Sequence, residues 1–344
     1  QNGDPNHSGP CQCTEMMNNL IEAFPQNIID ASALAKAITF KKPRHEIQNI
    51  VICGLGGSGV GAQIVCNWLL DELKLPVLVS NEYALPAYAN QHTLVIGTSY
   101  SGNTEETMMA IQEAQALGCH IVGICSGGQL AAFCETNSYN CCLVPAGMPP
   151  RAGLAFSMVH LLNLFVELGF CTAEHLQSMA NAAATLTADL QVIQQRAQDL
   201  AAFLHGKVGV YYAETKYEGV LVRARQQFNE NAKYLGWHHT LPEMNHNELV
   251  SWGGGDARFA PVFFSSGDLH PNNQKRLEIT MAAIEQKAGE IFVLETKGAT
   301  FIERSLYYIH LVDWASFYLC DLNGADIMDM EIVDYLKGEL AKLS

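Results

Sequence analysis

The sequence predicts an α/β protein with two parallel sheets, each flanked by helices on both faces. Short apolar segments alternate with helical stretches at intervals of ~20–30 residues, which is typical of a parallel sheet. This alternation breaks off in a purely helical stretch and then begins a second time. The length of 344 residues is also that of about two domains.

Residues 1–45 are predicted to form an N-terminal arm, disordered over 1–13 and helical over 14–40. The first domain is expected over residues 46–170. Its strands are predicted at Asn49–Gly54, Val77–Ser80, Leu94–Thr98, His120–Cys125 and Asn140–Val144. Its helices include Asn103–Leu117 and Arg151–Gly169.

A helical connector is predicted over residues 171–205, and a second domain with a C-terminal helix over residues 206–344. The second set of strands is predicted at Val208–Ala213, Trp237–Leu241, Phe259–Phe264 and Glu290–Leu294. Its helices include Leu221–Leu235, Asn272–Ala288 and Thr300–Leu322. The second domain lacks the glycine cluster and the serine-rich loop of the first, so the two halves are expected to bind ligands differently.

The charge balance excludes one class of function. Lys and Arg number 20 against 35 Asp and Glu, which gives a formal net charge of −15. A general nucleic-acid binder needs a basic surface, so no nucleic-acid partner is expected. A local phosphate site is still allowed. Charged residues are only 16 % and apolar residues 49 %, which predicts a large core and apolar surface for a subunit interface.

The cysteines and the apolar stretches indicate the compartment. The 11 cysteines are odd in number and scattered through strand-like segments, which favours a reducing cytoplasm over a disulfide framework. We expect no signal peptide. Leu306–Leu322, a long apolar stretch, is interrupted by His310, Asp313 and Ser316, so it predicts a buried helix and no membrane partner.

A glycine-rich turn follows the first predicted strand. Residues 54–59, with Gly57 and Ser58 at their centre, lead from the strand into a helix. Glycines let the backbone approach an anion, and the helix N-terminus supplies N–H donors. Such a turn alone is a weak signal. A dinucleotide site also remains open, because Glu82 lies near the end of the second strand.

A serine-rich loop after the third strand is more specific. Ser99, Ser101 and Thr104 precede a helix, and their hydroxyls with free N–H groups suit a phosphate monoester. The alternative is an N-cap formed by Ser101 or Thr104, with Glu105 or Glu106 favourable to the helix dipole. A cap needs one hydroxyl and this loop has three, which favours a phosphate-binding loop over a simple N-cap.

These motifs resemble a known family. The loop from Ser99 to Thr107 is similar to the S-x-S-G-x-T-x-E-T loop of SIS (sugar isomerase) domains. The segments 149–154, 228–233 and 241–248, with the tail from Asp313 to Lys337, resemble the bifunctional phosphoglucose/phosphomannose isomerase family. The resemblance covers roughly residues 45–344. It implies two SIS-type domains and a sugar-phosphate substrate.

The resemblance also implies roles for two residues. Glu230 matches the base that moves a proton between C2 and C1 through a cis-enediol, and His246 matches the residue that opens the sugar ring. In related isomerases this histidine reaches the site of the other subunit. Glu230 could instead pair with Lys233 on a helix surface, and His246 could belong to a plain loop. Glu243 and Glu248 are rival bases.

Two cations complete the candidate site. Arg151 opens a helix, where the dipole disfavours a cation, so a role in holding the enediolate or the phosphate is expected over a surface position. Lys337 matches the terminal-helix lysine of the family, although a solvated helix lysine is the alternative. His238 and His239 are adjacent and have no further ligand at metal spacing. We expect no metal and no cofactor.

One departure from the family concerns the sugar epimer. The family often has a threonine before the terminal lysine, thought to leave room for both C2 epimers. Residues 326–330 contain no Thr or Ser. The expected activity is therefore interconversion of glucose 6-phosphate with fructose 6-phosphate, with mannose 6-phosphate more doubtful.

Two other functions stay open. A non-catalytic sugar-phosphate sensor would keep the serine loop without needing Glu230 and His246, and an amino-sugar isomerase or deglycase would need an amine such as Lys337. For the enzyme we expect a homodimer with shared active sites.

Overall fold

The computed structural model describes residues 10–342, with side chains described from Cys13 onward. The predicted disorder of residues 1–9 lies outside the described residues. The same prediction is wrong for residues 10–13, which begin the first helix.

The first sheet has five parallel strands in the order β2-β1-β3-β4-β5. The strands are β1 (Asn49–Cys53), β2 (Val77–Ser80), β3 (Thr93–Thr98), β4 (His120–Cys125) and β5 (Asn140–Leu143). Every residue of the central strand β3 is buried, which explains its nearly continuous apolar sequence. The strand order reverses between β1 and β3, and ligand crevices of open α/β sheets form at such a point.

The second sheet has four parallel strands in the order β7-β6-β8-β9. They are β6 (Val208–Glu214), β7 (Gly236–Leu241), β8 (Phe259–Ser265) and β9 (Phe292–Glu295). Its order reverses between β6 and β8, as the first sheet reverses between β1 and β3. The predicted fold class and the predicted strands are confirmed, with end points that differ by two residues at most.

Helices cover the two sheets. They are α1 (Pro10–Glu22), α2 (Phe24–Lys36), α3 (Gly56–Trp68), α4 (Glu105–Ala116), α5 (Gly128–Thr136), α6 (Leu154–Glu167), α7 (Glu174–Ala188), α8 (Leu190–Leu204), α9 (Glu218–Ala232), α10 (Glu248–Ser251), α11 (Pro271–Ala288), α12 (Phe301–Leu322) and α13 (Glu331–Ala341). Helices α7 and α8 occupy the stretch 171–205 that is predicted as a helical connector.

Helix α12 is buried along most of its length. Thr300 and Glu303 form a capping box at its start, and Trp314 is fully buried at its centre. The helix packs on α8, α9 and α7, so its apolar residues on several faces are explained by burial. The prediction of a buried helix is confirmed. Within residues 10–342, no helix is both long enough and apolar enough to cross a bilayer.

The two sheets meet through helices α3 and α9, which pack against each other. The Gly219 N–H of α9 donates to Asn67 Oδ1 of α3 at 3.0 Å. A Cβ at Gly219 would lie 2.9 Å from Ile64, so this position needs a glycine for the helices to approach. The junction places the C-terminal end of α9 beside the loops at the carboxyl edge of the first sheet.

Candidate active site

Two loops leave the first sheet at the point where its strand order reverses. Residues 54–55 connect β1 to α3, and residues 99–104 connect β3 to α4. Among the described residues, neither helix has a side-chain capping hydrogen bond at its start, where Leu55 and Thr104 stand. The first N–H groups of both helices are therefore suited to an anion.

The glycine loop lies against the segment that carries Arg151. A Cβ at Gly57 would lie 3.6 Å from Arg151 Cα. Ser58 Oγ accepts a hydrogen bond from Tyr100 N at 3.1 Å, so Ser58 joins this loop to the serine loop. Glu82, which a dinucleotide site would use, is exposed beyond the end of β2.

The serine loop brings two of its three hydroxyls together. Ser99 is buried, and its Oγ lies 2.7 Å from Thr104 Oγ1. Ser101 is exposed, and its Oγ accepts from Asn103 N at 3.1 Å. The capping alternative is wrong for Thr104, because Thr104 stands at the N-cap position while its hydroxyl contacts Ser99.

The loop after β4 supports the serine loop through hydrogen bonds. The sequence patterns did not predict this contact. Gly102 has φ of 71°, and a Cβ there would lie 1.9 Å from Gly127 O, so only glycine fits. Ser126 Oγ donates to Tyr100 O at 2.6 Å, and Gln129 N donates to Asn103 Oδ1 at 3.0 Å. The glycine pair at residues 127–128, directly after a predicted strand, is the sequence feature that could have indicated this supporting loop.

Tyr100 connects the serine loop to the arginine segment. Its hydroxyl donates to Pro145 O at 2.8 Å and accepts from Met148 N at 3.1 Å. These two bonds fix the chain that leads into the short 3-10 helix Pro150–Ala152. The position of Arg151 therefore depends on Tyr100.

Arg151 is buried where the two domains meet. Its Nε donates to Asn231 Oδ1 at 2.7 Å, and its Nη2 donates to Ile327 O at 2.8 Å. Its Nη1 lies 3.3 Å from Glu230 Oε2. Burial lowers the pKa of the guanidinium, and the Glu230 carboxylate acts in the opposite direction. The alternative of a surface arginine is wrong, since the side chain is only 5 % exposed.

Glu230 lies in the last turn of α9 with its carboxylate toward Arg151. The side chain is 33 % exposed, so solvent and a substrate can reach it. Lys233 has φ of 52°, and its Nζ donates to the backbone oxygen of Glu230 at 2.6 Å. Within the described residues Lys233 forms no ion pair with the Glu230 carboxylate, so the alternative of a surface pair is wrong.

Burial and the nearby Arg151 cation lower the pKa of Lys233, which sequence reasoning did not single out. Lys233 and Glu230 line a cavity of about 350 Å³ together with Leu235, Met330 and Ile332. The Asn-Glu-Asn-Ala-Lys segment therefore provides both a carboxylate and an amine to one cavity.

A buried ion pair holds the backbone of Arg151. Arg223 and Asp313 are 2 % and 3 % exposed and share two hydrogen bonds of 3.0 and 2.8 Å. The Arg223 Nη2 that bonds Asp313 Oδ2 also donates to Arg151 O at 2.9 Å. The pair is a positioning element for the guanidinium that meets Glu230.

The structure does not bring His246 to Glu230 within one chain. His246 is exposed at the end of the 3-10 helix Glu243–His246, and no hydrogen bond, ion pair or ring contact is found for it within residues 10–342. Asn245 Nδ2 donates to Thr280 Oγ1 at 2.8 Å and Asn247 Nδ2 to Glu243 Oε1 at 2.7 Å. These bonds fix the segment with its imidazole at the surface.

Lys337 also stays apart from Arg151 and Glu230. It lies on α13, whose residues are nearly all exposed, and it forms no ion pair in the described part of the chain. The rival base Glu248 accepts from Trp237 Nε1 at 2.8 Å. Burial and Arg225 lower the pKa of His238 to about 4. No group of three possible metal ligands occurs among the described residues.

Comparison with known families identifies two regions. Residues 45–160 match the SIS domain, and residues 193–340 match the bacterial phospho-glucose isomerase C-terminal SIS domain. A bifunctional phosphoglucose/phosphomannose isomerase of Caldicellulosiruptor bescii is 33 % identical over 332 residues, which cover 93 % of this chain and 97 % of that protein. One of Aquifex aeolicus is 31 % identical over 331 residues, covering 95 % and 99 %.

A more distant relative and two solved structures extend the comparison. The D-glucosamine-6-phosphate 4-epimerase of Sulfolobus acidocaldarius is 28 % identical over 224 residues, covering 64 % of this chain and 70 % of that protein. The C-terminal domain of glucosamine-fructose-6-phosphate aminotransferase from Francisella tularensis has a TM-score of 0.75 at 14 % identity, covering 90 % and 97 %. The tagatose-6-phosphate ketose/aldose isomerase of Escherichia coli has a TM-score of 0.68 at 16 % identity, covering 94 % of each chain. The two structures show the shared fold.

Proposed function

This chain belongs to the bifunctional phosphoglucose/phosphomannose isomerase family, and from this premise we propose that it interconverts glucose 6-phosphate and fructose 6-phosphate. It is an isomerase built of two SIS-type domains. The observation that carries the substrate proposal is the Glu230 carboxylate, which lies 3.3 Å from the buried Arg151 guanidinium and is 33 % exposed to solvent. A carboxylate and a fixed cation are what an enediol intermediate requires.

The phosphate of the substrate is proposed to bind between the glycine and serine loops. Ser58, Ser99, Ser101 and Thr104 supply hydroxyls, and Gly57 lets the backbone approach. The two uncapped helix starts add N–H donors and a favourable dipole. Hydroxyls and amides can hold a phosphate where no lysine is present.

The isomerisation is proposed to run through a cis-enediol. In the open-chain aldose, the Glu230 carboxylate takes the C2 proton and the C–H electron pair forms the C1–C2 double bond. The C1=O π pair moves to O1, which takes a proton from water. The protonated Glu230 then returns its proton to C1 while O2 gives its proton to water and becomes the ketone oxygen. Arg151 stabilises the negative charge that develops on the enediolate oxygens.

Ring opening is proposed to use His246 of a second copy of the chain. The imidazole is exposed and held by its neighbours, as described above, and α13 presents exposed apolar side chains that a homodimer would cover. Lys337 lies on this same helix, so a partner could also place it near the substrate.

No metal or cofactor is part of the proposed reaction, which needs only proton transfer between oxygen and carbon. The ten cysteines whose side chains the structure describes form no disulfide among themselves, which supports a reducing cytoplasm as the location.

The test is turnover of glucose 6-phosphate to fructose 6-phosphate with EDTA present. We expect activity in the natural chain and a fall in kcat of about 10²–10⁴-fold in Glu230→Gln, the usual contribution of a general base. Release of deuterium from C2-deuterated substrate should fall in parallel. Glu243→Gln is the matched control, because its exposed carboxylate bonds Asn247 rather than Arg151.

Three results would contradict the proposal. Full activity in Glu230→Gln, or its loss in Glu243→Gln, would mean that another group is the base. Binding of fructose 6-phosphate without turnover would identify a sensor, and turnover of amino sugars alone would identify the amino-sugar alternative.

A further inference from the structure

A second cavity lies at the edge of the first sheet opposite the serine loop. It has a volume of about 400 Å³ and lies where β4 and β5 begin, beneath the segment 41–45. This size falls in the range of roughly 300–1,000 Å³ for small-molecule sites. Its basic lining residues are Lys41, Lys42, Arg44, His45 and His120. Among the described residues that line it, none is acidic.

The positive charge in this cavity is concentrated and largely unneutralised. The chain has 20 Lys and Arg and a net charge of −15, yet three of these cations lie within residues 41–44. Lys41 Nζ donates to Ser138 O. Lys42 and Arg44 are exposed, and neither forms an ion pair or a hydrogen bond with any residue in the described range 10–342.

Helix dipoles oppose this charge but do not cancel it. Helices α4 and α5 both end at this edge of the sheet, and each helix C-terminus carries about −0.5 of an elementary charge. Their sum is about −1 against three full cations, so the cavity keeps a net charge of about +2. A positive concave site in an acidic protein concentrates small anions.

Hydrogen bonds hold the walls of the cavity in place. Asn140 Oδ1 accepts from Lys41 N at 2.8 Å, and its Nδ2 donates to Thr39 O at 2.9 Å, which fixes the basic segment against β5. On the opposite wall, Gln115 Nε2 donates to Asn137 Oδ1 at 2.7 Å. A ligand would therefore meet a preformed site with amide groups beside the cations.

We propose that this cavity binds a small phosphorylated anion with at least two negative charges, at a site separate from the candidate active site. The fork of Arg44 and the ammonium of Lys42 both suit phosphate oxygens. Two unpaired cations on one segment call for more than one negative charge. Amide groups at the rim can then bond the uncharged part of the ligand.

The test is titration of the full chain with inorganic pyrophosphate by calorimetry. Removing both free cations in Lys42→Ala/Arg44→Ala should weaken this binding by at least about tenfold, since each charge-assisted bond is strong. Lys275→Ala/Arg276→Ala is the matched control, because it removes two adjacent exposed cations from α11. The control should bind as the natural chain does.

Hydrogen–deuterium exchange locates the bound anion. Pyrophosphate should protect residues 137–141 in the natural chain and in the control, but not in Lys42→Ala/Arg44→Ala. The proposal is overturned if the natural chain does not bind, if both double variants bind equally, or if protection appears only at residues 99–104. Because the readout is binding and not turnover, its outcome is independent of the proposed isomerase activity.

Discussion

Met328 lies in the stretch 326–330, whose lack of Thr or Ser bears on the expected choice of sugar epimer. Its Sδ lies 4.0 Å from Arg151 Nη2, and the preceding residue, Ile327, accepts a hydrogen bond from the same amino group. The family often carries a threonine in this stretch, and a thioether fills more space beside the guanidinium. This contact gives a structural reason to expect a preference for glucose 6-phosphate.

Shortening that side chain should broaden the substrate range. In Met328→Thr, the ratio of kcat/KM for mannose 6-phosphate to that for glucose 6-phosphate should rise by about tenfold, the effect of a small volume change in a binding pocket. Met328→Leu keeps the volume and should leave the ratio unchanged. A ratio that is the same in all three proteins would show that Met328 does not select the epimer.

The buried pair of Arg223 and Asp313 gives a prediction about stability. In Asp313→Asn, the Arg223 cation would stay buried without its counter-charge, and the free energy of unfolding should fall by about 3–5 kcal/mol. Denaturant unfolding measures this change. Asp256→Asn is the control, since Asp256 pairs with Arg258 on the surface, and it should have a much smaller effect.

The same pair should also matter to the reaction. Arg223 donates to the backbone of Arg151, so Asp313→Asn should lower kcat at a temperature where the variant is still folded. An unchanged kcat in the folded Asp313→Asn variant would contradict the proposed positioning role.

At the scale of elements, the two sheets differ in what fills the crevice at their reversal point. In the first sheet the loops after β1 and β3 leave space for a ligand. In the second, the loop after β8 places Asp268 beside the loop after β6. Asp268 Oδ2 lies 3.0 Å from Lys216 Nζ and 2.9 Å from Arg304 Nη2, and Tyr217 OH donates to Oδ1 at 3.0 Å. In the second sheet, the Asp268 carboxylate therefore lies in the crevice where a bound anion would otherwise lie.

The charge on Asp268 should therefore stabilise the second domain in a pH-dependent manner. Burial alone would raise the pKa of Asp268, but the Ser266 hydroxyl and the cations of Lys216 and Arg304 outweigh it and lower the pKa. A carboxyl with a lowered pKa in the folded state contributes stability above its unfolded pKa of about 4, and that contribution is lost as the pH falls through the folded value.

The Asp268→Asn variant tests the direction of this pH dependence of stability. The variant should be less stable than the natural chain at pH 7 by about 1–3 kcal/mol, because the partly buried cations of Lys216 and Arg304 lose their shared carboxylate. The difference should shrink as the pH is lowered below about 4. A difference that is constant with pH would mean that the carboxylate charge does not contribute.

Local sequence patterns predicted the elements well because each strand is short, apolar and bounded by turns. The predicted end points of β2 and β4 agree with the structure, since both strands are short apolar runs, β4 in the buried part of the sheet and β2 at its half-exposed edge. The patterns could not show that Ser126 braces the serine loop or that Asp268 fills the second crevice. Those contacts join residues far apart in sequence, and their partners are common polar residues without a local motif.

At the scale of the whole molecule, one chain does not bring all of the candidate site residues together. Arg151 of the first domain contacts Glu230 of the second. His246 is exposed and forms no hydrogen bond or ion pair with either residue within the described range 10–342. Large apolar side chains also remain exposed on α13 and at Leu235, which lines the same cavity as Glu230; those on α13 are Ile332, Tyr335 and Leu336. A second copy that covers α13 and supplies His246 would account for both observations.

Mixed dimers test whether two chains share each site. Glu230→Gln and His246→Ala, each with its own affinity tag, are produced together and the mixed dimer is purified by both tags. If His246 serves the site of the partner subunit, one of the two sites is intact and the mixed dimer has about half of the natural activity. If both residues serve the same chain, each site carries one defect and the mixed dimer is as inactive as either parent. A monomer with full activity in sedimentation would contradict the shared site outright, because the imidazole would then reach the substrate without a partner.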